Sequence, residues 1–103
     1  MKIPFVKMHG NGNDFVIIDN IKQNFKKDKT LIKKITNRKI GIGCDQLILI
    51  EKSDEYDAFM RIYNNDGSEA EMCGNAARCV ASLLMAGTKK TQISIETKSA
   101  LLN

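Results

Sequence analysis

Short apolar runs separated by turn-forming residues organise this chain, and they predict five strands and two helices. The run from Gln46 to Glu51 is apolar at every internal position, which predicts a strand buried on both faces of a sheet. Residues 92–97 alternate between polar and apolar positions and predict a last strand. The remaining strands are expected over residues 3–8, 14–19 and 57–63, with turns at residues 10–13 and 64–67.

A lysine-rich segment predicts the first helix, over about residues 31–38. Thr30 can cap this helix, and three apolar residues at helical spacing are expected to face inward: Leu31, Ile32 and Ile35. Residues 22–39 hold eight of the 16 Lys and Arg and a single acid, so the net charge of +4 is local. With no aromatic interleaving beyond Phe25, this composition favours a solvated helix face over a nucleic-acid-binding surface.

The second predicted helix runs from Gly74 to about Ala86 and is apolar around most of its circumference. Only Arg78 and Ser82 make a polar stripe along it. A helix of this composition is expected to be enclosed by other structure instead of lying on a surface. Gly87 stands where a residue with a left-handed backbone would end the helix.

Length and composition describe one small domain of 103 residues, with an ordinary hydrophobic content of 43%. No apolar run is long enough to span a membrane. The first residues contain neither a sustained apolar stretch nor a small-residue cleavage site, so no secretory signal is expected and the predicted location is the cytoplasm. Neither a membrane nor a nucleic acid is predicted as a partner.

The three cysteines are an odd number without a C-x-x-C pair, which excludes an even disulfide framework and predicts free thiols. Cys79 lies six residues after Cys73 on the second helix and cannot face it across a small substrate. Packing in the core is therefore expected for Cys79. Cys44, in the loop at residues 41–46, is expected to pack within that loop, and a place beside the site is the alternative.

Cys73 stands immediately before the first turn of the second helix. The unpaired N–H groups and the dipole at a helix start stabilise negative charge and so favour a thiolate, which can act as a base or nucleophile. The same N–H groups, from Gly74 and Asn75 onward, can bind a carboxylate. One helix end could therefore hold an amino acid's carboxylate beside a reactive thiol. An inert, packed cysteine is the alternative that this spacing leaves open.

Neutral amides cluster around the predicted turns, at Asn11, Asn13, Gln46, Asn64 and Asn75. Amides offer paired donors and acceptors without a fixed charge, which suits a zwitterionic ligand. Each of these residues, taken alone, is also commonly found in turns for structural reasons. The single histidine, His9, has no second imidazole near it in sequence, and a structural hydrogen bond is expected for it instead of catalysis or metal binding.

Three segments together resemble the N-terminal domain of diaminopimelate epimerases. They are MHGNGNDF at residues 8–15, GIGCDQ at residues 41–46, and the stretch over residues 64–79. Carried over residue by residue, the resemblance makes Cys73 a catalytic cysteine. It also assigns substrate binding to five positions: Asn13, Gln46, Asn64, Gly74 and Asn75.

This resemblance implies an α+β fold in which a mixed or antiparallel sheet wraps a central buried helix. Two such domains, related by pseudo-symmetry, would enclose the active site in the cleft between them. Residues 1–103 would be the N-terminal domain, truncated near its C-terminal end, and the second domain would be absent.

The resemblance also implies a cofactor-independent epimerase that converts LL-2,6-diaminopimelate to the meso isomer in lysine and peptidoglycan precursor synthesis. Inversion needs a thiolate on one face of the α-carbon and a thiol on the other, and the family's partner cysteine comes from the second domain. Neither pyridoxal phosphate nor a metal is expected. The chain alone is expected to be inactive, and its expected partners are diaminopimelate, its missing C-terminal domain and a second copy in a homodimer.

Two alternatives remain at this stage. The first is a related isomerase of the same fold, such as the proline racemases or the phenazine-biosynthesis relatives, which share a cysteine or acid at a helix start. The second is a non-catalytic domain that folds or associates but turns nothing over. The segment around residues 9–15 and the motif that ends in Gln46 favour the diaminopimelate branch over the first alternative.

Overall fold

The computed structural model describes residues 3–21, 23–71 and 73–98, together with the backbone of residues 101 and 102. Within this part of the chain there are seven strands and two helices. In chain order they are β1 (Val6–Gly10), β2 (Asn13–Asp19), α1 (Lys29–Thr36), β3 (Gln46–Glu51), β4 (Ala58–Asn64), β5 (Glu69–Ala70), α2 (Gly74–Met85), β6 (Ile95–Glu96) and β7 (Leu101–Leu102).

The strands form one mixed sheet in the order β1-β2-β3-β4-β6-β7, with β5 paired to β4. The β2–β3 and β4–β6 pairs are parallel, and the other pairs are antiparallel. Parallel neighbours need a crossover connection, and α1 provides it between β2 and β3. The predicted α+β class with a mixed sheet is confirmed.

Alternate side chains of the strands point to opposite faces of the sheet and build two separate cores. The face covered by α2, here the α2 face, includes three buried residues of that helix: Ala76, Cys79 and Val80. The face covered by α1, here the α1 face, includes Ile32 of that helix. The central strand β3 contributes to both cores, as predicted, with Ile48 and Ile50 on the α2 face and Leu47 and Leu49 on the α1 face.

The predicted capping of α1 by Thr30 is wrong, because the helix begins at Lys29, two residues earlier than predicted. Asp28 is the N-cap, and its carboxylate accepts a hydrogen bond from the N–H of Thr30 at 2.9 Å. Asp and Thr are both good capping residues, so local preference alone does not decide between them. The lysines at positions 33 and 34 are exposed, which agrees with the predicted solvated face.

Helix α2 covers the sheet with one side only. Three of its residues are buried, and most of its other apolar side chains are half-buried, so the predicted enclosure is incomplete in this chain. The predicted left-handed end at Gly87 is wrong. Ala86 is the C-cap in a right-handed conformation, and its N–H donates to the carbonyl of Ser82 at 3.1 Å.

Pairing partners move the ends of the first and last predicted strands. The first lies at Val6–Gly10 instead of residues 3–8, because the tight turn through Asn11 (φ +49°) and Gly12 (φ +87°) sets the register of the hairpin. The last predicted strand, 92–97, shortens to Ile95–Glu96, the two residues that pair with β4. The turn at residues 10–13 is confirmed.

Candidate functional site

One end of the sheet brings together the segments that the sequence singled out. Gly10 at the end of β1 pairs with Asn13 at the start of β2, and Phe15 of β2 pairs with Gln46 at the start of β3. Gln46 in turn pairs with Asn64 at the end of β4. This edge is called the site end below.

The side chains of Asn13, Gln46 and Asn64 share the α2 face at the site end. Each lies two residues from a buried member of the α2-face core in its own strand, and strand side chains repeat on one face every second residue. These three residues are called the site amides. The structure therefore brings together, on one face, three positions that are far apart in sequence.

Gln46 and Asn64 are joined by a hydrogen bond from Nε2 of the glutamine to Oδ1 of the asparagine, at 3.0 Å. Asn64 is held in turn by Ser68, whose hydroxyl oxygen accepts from its Nδ2 at 3.1 Å and whose carbonyl accepts from its backbone N–H at 2.8 Å. The Oε1 atom of Gln46 is buried and has no hydrogen-bond partner among the described residues. A buried acceptor without a partner is costly, so this oxygen is ready to accept a hydrogen bond from a ligand.

Cys73 is the N-cap residue of α2, as the sequence predicts. Its backbone is extended, its carbonyl accepts the N–H of Ala77 at 3.0 Å, and its side chain makes no capping hydrogen bond. The side chain is half-buried and packs against the α2-face core. Gly74, the next residue, is exposed, and a methyl group added to it would meet no atom within 4 Å. The helix start therefore faces open space beside the thiol.

The amide of Asn75 is oriented by two donors. Its Oδ1 accepts hydrogen bonds from Nδ2 of Asn11 at 3.2 Å and from the guanidinium of Arg78 at 3.0 Å. Both donors occupy its oxygen and leave its nitrogen to donate elsewhere. The sequence patterns do not reveal this arrangement, because Asn11 lies 64 residues from Asn75.

The other two cysteines are packed, as predicted. Cys44 is fully buried in the α1-face core, and burial raises the pKa of its thiol. Cys79 is 4% exposed in the α2-face core, burial raises the pKa of its thiol as well, and its sulfur donates to the carbonyl of His9 at 3.6 Å. Cys73 is therefore the most accessible thiol of the three.

His9 departs from its predicted role. Its side chain is exposed and makes no hydrogen bond within the part of the chain that the structure describes. It lines a cleft of about 250 Å³ between the β1–β2 turn and α2, together with Asn11, Asn75 and Arg78. The expected structural bond is made by the backbone carbonyl of His9 instead of by its imidazole.

A cluster of charged residues lies on the α1 face, behind the site amides, and the sequence patterns do not identify it. It consists of Lys7, Asp14, Arg38 and Asp45, and is called the Asp14 cluster. Arg38 and Lys7 hold the pKa of the Asp14 carboxyl well below its usual range. The available signal was that Asp14 is the second residue of β2 and Asp45 directly precedes β3, where a carboxylate needs a partner once it is covered.

Two further properties concern the described residues only. No group of three or more His, Cys, Asp and Glu side chains is placed to hold a metal ion. Neither helix is long and apolar enough to cross a membrane.

Solved structures of the same architecture include two phenazine biosynthesis proteins of the PhzF family. The protein from Enterococcus faecalis superposes with a TM-score of 0.70 at 14% identity, over 99% of this chain and 39% of that one. The protein from Bacillus anthracis gives a TM-score of 0.67 at 22% identity, over 99% of this chain and 35% of that one. At such identities the likeness establishes the fold.

Sequence comparison establishes the family. The sequence model of the diaminopimelate epimerase family matches residues 5–103. Diaminopimelate epimerase from Acidiphilium cryptum is 50% identical over 99 residues, which are 96% of this chain and 36% of the relative. The enzyme of that name from Pelagibacter ubique is 51% identical over 102 residues, 99% of this chain and 37% of the relative. The chain thus spans just over a third of the length of these relatives, and it belongs to the diaminopimelate epimerase family.

Proposed function

We propose that this chain is the N-terminal part of a longer protein that converts LL-2,6-diaminopimelate to the meso isomer. The reaction would serve lysine and peptidoglycan precursor synthesis in the cytoplasm, with the protein as a homodimer. In this proposal Cys73 is one of two acid–base residues. The observation that carries it is the position of Cys73: an accessible thiol at the start of α2, on the same face of the sheet as the site amides.

The chemistry explains why such a position is useful. A proton on a carbon beside a carboxylate is a very weak acid, so the base must be aimed at it and the carboxylate must be held by fixed dipoles. Cys73 has its thiol beside the N–H groups at the start of α2, which can accept a carboxylate. Gly74 leaves space for that carboxylate next to the backbone. The side-chain nitrogen of Asn75 is available as a donor, because the side-chain oxygen already accepts two hydrogen bonds.

The site amides suit the other polar groups of an amino acid. The buried Oε1 of Gln46 lacks a partner among the described residues and would accept a hydrogen bond from the substrate ammonium group. Asn64 fixes the opposite side of the same amide through its 3.0 Å hydrogen bond. Asn13 lies on the same face at the start of β2 and would provide a further amide contact.

The second acid–base residue is proposed to come from the part of the relatives that this chain does not span. A single base can remove a proton and return it to the same face, which leaves the configuration unchanged. Cys44 is buried on the opposite face of the sheet, and Cys79 is buried on the side of α2 that packs against the sheet, so neither is placed to act across the substrate from Cys73. The chain alone is therefore proposed to be inactive as an epimerase. The complete protein is proposed to need neither pyridoxal phosphate nor a metal.

The proposal is tested by incubating LL-diaminopimelate in deuterated water with this chain, or with the full-length protein, and following the isomer ratio and the α-deuterium content. The full-length protein should form deuterated meso product, and Cys73→Ala should lower its rate by about 10²–10⁴-fold. Cys79→Ala, on the same helix, is the control and should keep most of the activity.

The chain alone should leave the isomer ratio unchanged. Meso product formed by the chain alone, and abolished by Cys73→Ala, would place a second acid within these 103 residues. A full-length protein that turns over normally with Cys73→Ala would refute the role of this cysteine.

A further inference from the structure

The Asp14 cluster joins three segments that meet behind the site amides. The carboxylate of Asp14 accepts two hydrogen bonds from the Arg38 guanidinium, at 2.8 and 2.9 Å, and lies 3.0 Å from the ammonium group of Lys7. Arg38 also contacts the carboxylate of Asp45 at 3.1 Å. Two carboxylates and two cations therefore balance one another, and the two-pronged contact fixes the geometry as well as the charge.

The same residues fasten the starts of β2 and β3 to each other. The N–H of Asp45 donates to the carboxylate of Asp14 at 2.9 Å and to its carbonyl at 3.1 Å. The N–H of Asp14 donates to the carboxylate of Asp45 at 3.2 Å. Strand pairing begins one residue later, at Phe15 and Gln46. The reciprocal contacts thus extend the ladder by one step and fix its register where it would otherwise fray.

The loop before β3 is held in the same way. The ammonium group of Lys7 donates to the carbonyl of Gly43, so β1 contacts this loop directly. Gly43 has φ +82°, and a methyl group added to it would lie 2.9 Å from the Cα of Arg38. Glycine is therefore required at a point where the loop passes close against Arg38.

The cluster and the site amides are neighbours on opposite faces. Asp14 adjoins Asn13, and Asp45 adjoins Gln46. Since successive strand residues point to opposite faces, the charged side chains lie on the α1 face while the amides lie on the α2 face with Cys73. The Asp14 side chain is only 13% exposed, so water can replace its protein partners only in part.

We propose that Asp14 and Arg38 are positioning residues: their ion pair holds the starts of β2 and β3 in the register that aims Asn13 and Gln46 at the Cys73 side of the sheet. Neither residue contacts the substrate in this scheme. The role rests on the proposed binding of substrate by the site amides. In this scheme, a contact on the far face of the sheet determines the orientation of the site amides.

The test uses the ¹⁵N-labelled chain and four forms of it: the unaltered sequence, Arg38→Ala, Arg38→Lys and Arg61→Ala. Arg61 is the matched control, because it too pairs with two carboxylates, Glu51 and Glu69, but does not contact the Asp14 cluster. In Arg38→Ala, the side-chain amide resonances of Asn13 and Gln46 should move, and exchange of the Asp45 N–H should accelerate at least tenfold. Arg38→Lys keeps the charge but not the two-pronged contact and should give an intermediate result.

A second amide separates positioning from general stability. The N–H of Asn20 donates to the carbonyl of Ile50 at 2.8 Å, at the opposite end of the same strand pair. Its exchange should be unchanged in Arg38→Ala, whereas a merely structural role would accelerate both amides together. Unmoved side-chain resonances of Asn13 and Gln46 in Arg38→Ala, or equal acceleration at Asp45 and Asn20, would overturn the proposal.

Titration with LL-diaminopimelate distinguishes this proposal from the proposed function. Binding to the unaltered chain should weaken at least fivefold in Arg38→Ala and stay unchanged in Arg61→Ala. If the unaltered chain does not bind diaminopimelate, substrate binding by the site amides on this chain is contradicted. The resonance and exchange measurements on the ligand-free chain still decide whether Arg38 orients the amides.

Discussion

At the site end, the α1 face carries charged groups that are paired with one another, whereas the α2 face carries neutral amides and an accessible thiol. The Asp14 cluster contains two cations and two carboxylates in mutual contact. The site amides lie directly opposite, and one of their oxygens, Oε1 of Gln46, has no partner among the described residues. One face is saturated with internal contacts, and the other retains unused hydrogen-bonding capacity.

The two helix starts show the same contrast. Asp28 caps α1 with its own carboxylate, at 2.9 Å from the N–H of Thr30. Cys73 occupies the same position on α2, where its side chain makes no capping hydrogen bond. A capped start contributes stability, and a start with unused N–H groups can bind an anion instead. The start of α1 is thus stabilised by its own cap, whereas the start of α2 has no side-chain cap and agrees with the proposed binding of a carboxylate there.

Acid should destabilise the α1 face, where the Asp14 cluster lies, before it affects the α2 face. Arg38 and Lys7 keep the pKa of Asp14 far below its ordinary value of 3.8, so the folded chain resists protonation there. The unfolded chain takes up this proton as the pH falls through that value. The contribution of Asp14 to the free energy of unfolding is therefore complete at pH values well above 4 and declines as the pH falls further.

Urea unfolding followed by circular dichroism at pH 7, 4 and 3 measures this dependence. Asp14→Asn should lower the free energy of unfolding at pH 7 by about 1–3 kcal/mol, because it removes the negative charge and one of the two acceptor oxygens that Arg38 and Lys7 contact. It should also flatten the dependence on pH below 4. Asp54→Asn, at an exposed carboxylate, is the control and should leave the slope unchanged. An equally steep slope in Asp14→Asn would contradict the assignment.

Removing the cap of α1 and adding a cap to α2 should produce smaller effects of opposite sign on the free energy of unfolding. Asp28→Ala should lower the free energy of unfolding by about 1 kcal/mol, the usual value of a side-chain cap. Cys73→Asp should raise it by about 0.5 kcal/mol, because a carboxylate at this position can bond the free N–H groups and favourably oppose the helix dipole.

Both variants are measured by urea unfolding at pH 7. If Cys73→Asp destabilises the chain as much as Asp28→Ala does, the contrast between the two helix starts is contradicted. That outcome would mean that the start of α2 is already satisfied and cannot accept a ligand carboxylate.

Local patterns predicted those parts of the fold that local sequence determines. Strand β3 lies at Gln46–Glu51, as its uninterrupted apolar run predicts, and the turn through Gly12 follows from residues that tolerate positive φ. Strand β6 is two residues long instead of six because its length depends on pairing with β4. Gly87 does not end α2 in a left-handed conformation, since Ala86 closes the helix without one.

The candidate site divides in the same way. The position of Cys73 at a helix start follows from its neighbours in sequence, and the structure places it there; its catalytic role stays a prediction. The partners of Asp14 could not be predicted, because Arg38 and Asp45 lie 24 and 31 residues away from it and meet it only through the crossover between β2 and β3. The orientation of Asn75 by Asn11 depends on tertiary structure for the same reason.

Alkylation of this chain by iodoacetamide tests most directly whether Cys73, at the start of α2, is the accessible and reactive thiol. Mass spectrometry of the digested protein at successive times gives a separate rate for each of the three cysteines. Cys73 should react at least tenfold faster than Cys44 and Cys79, whose burial both hides the sulfur and raises the pKa of the thiol. Cys79 or Cys44 reacting first, or all three reacting together in the folded chain, would contradict the account.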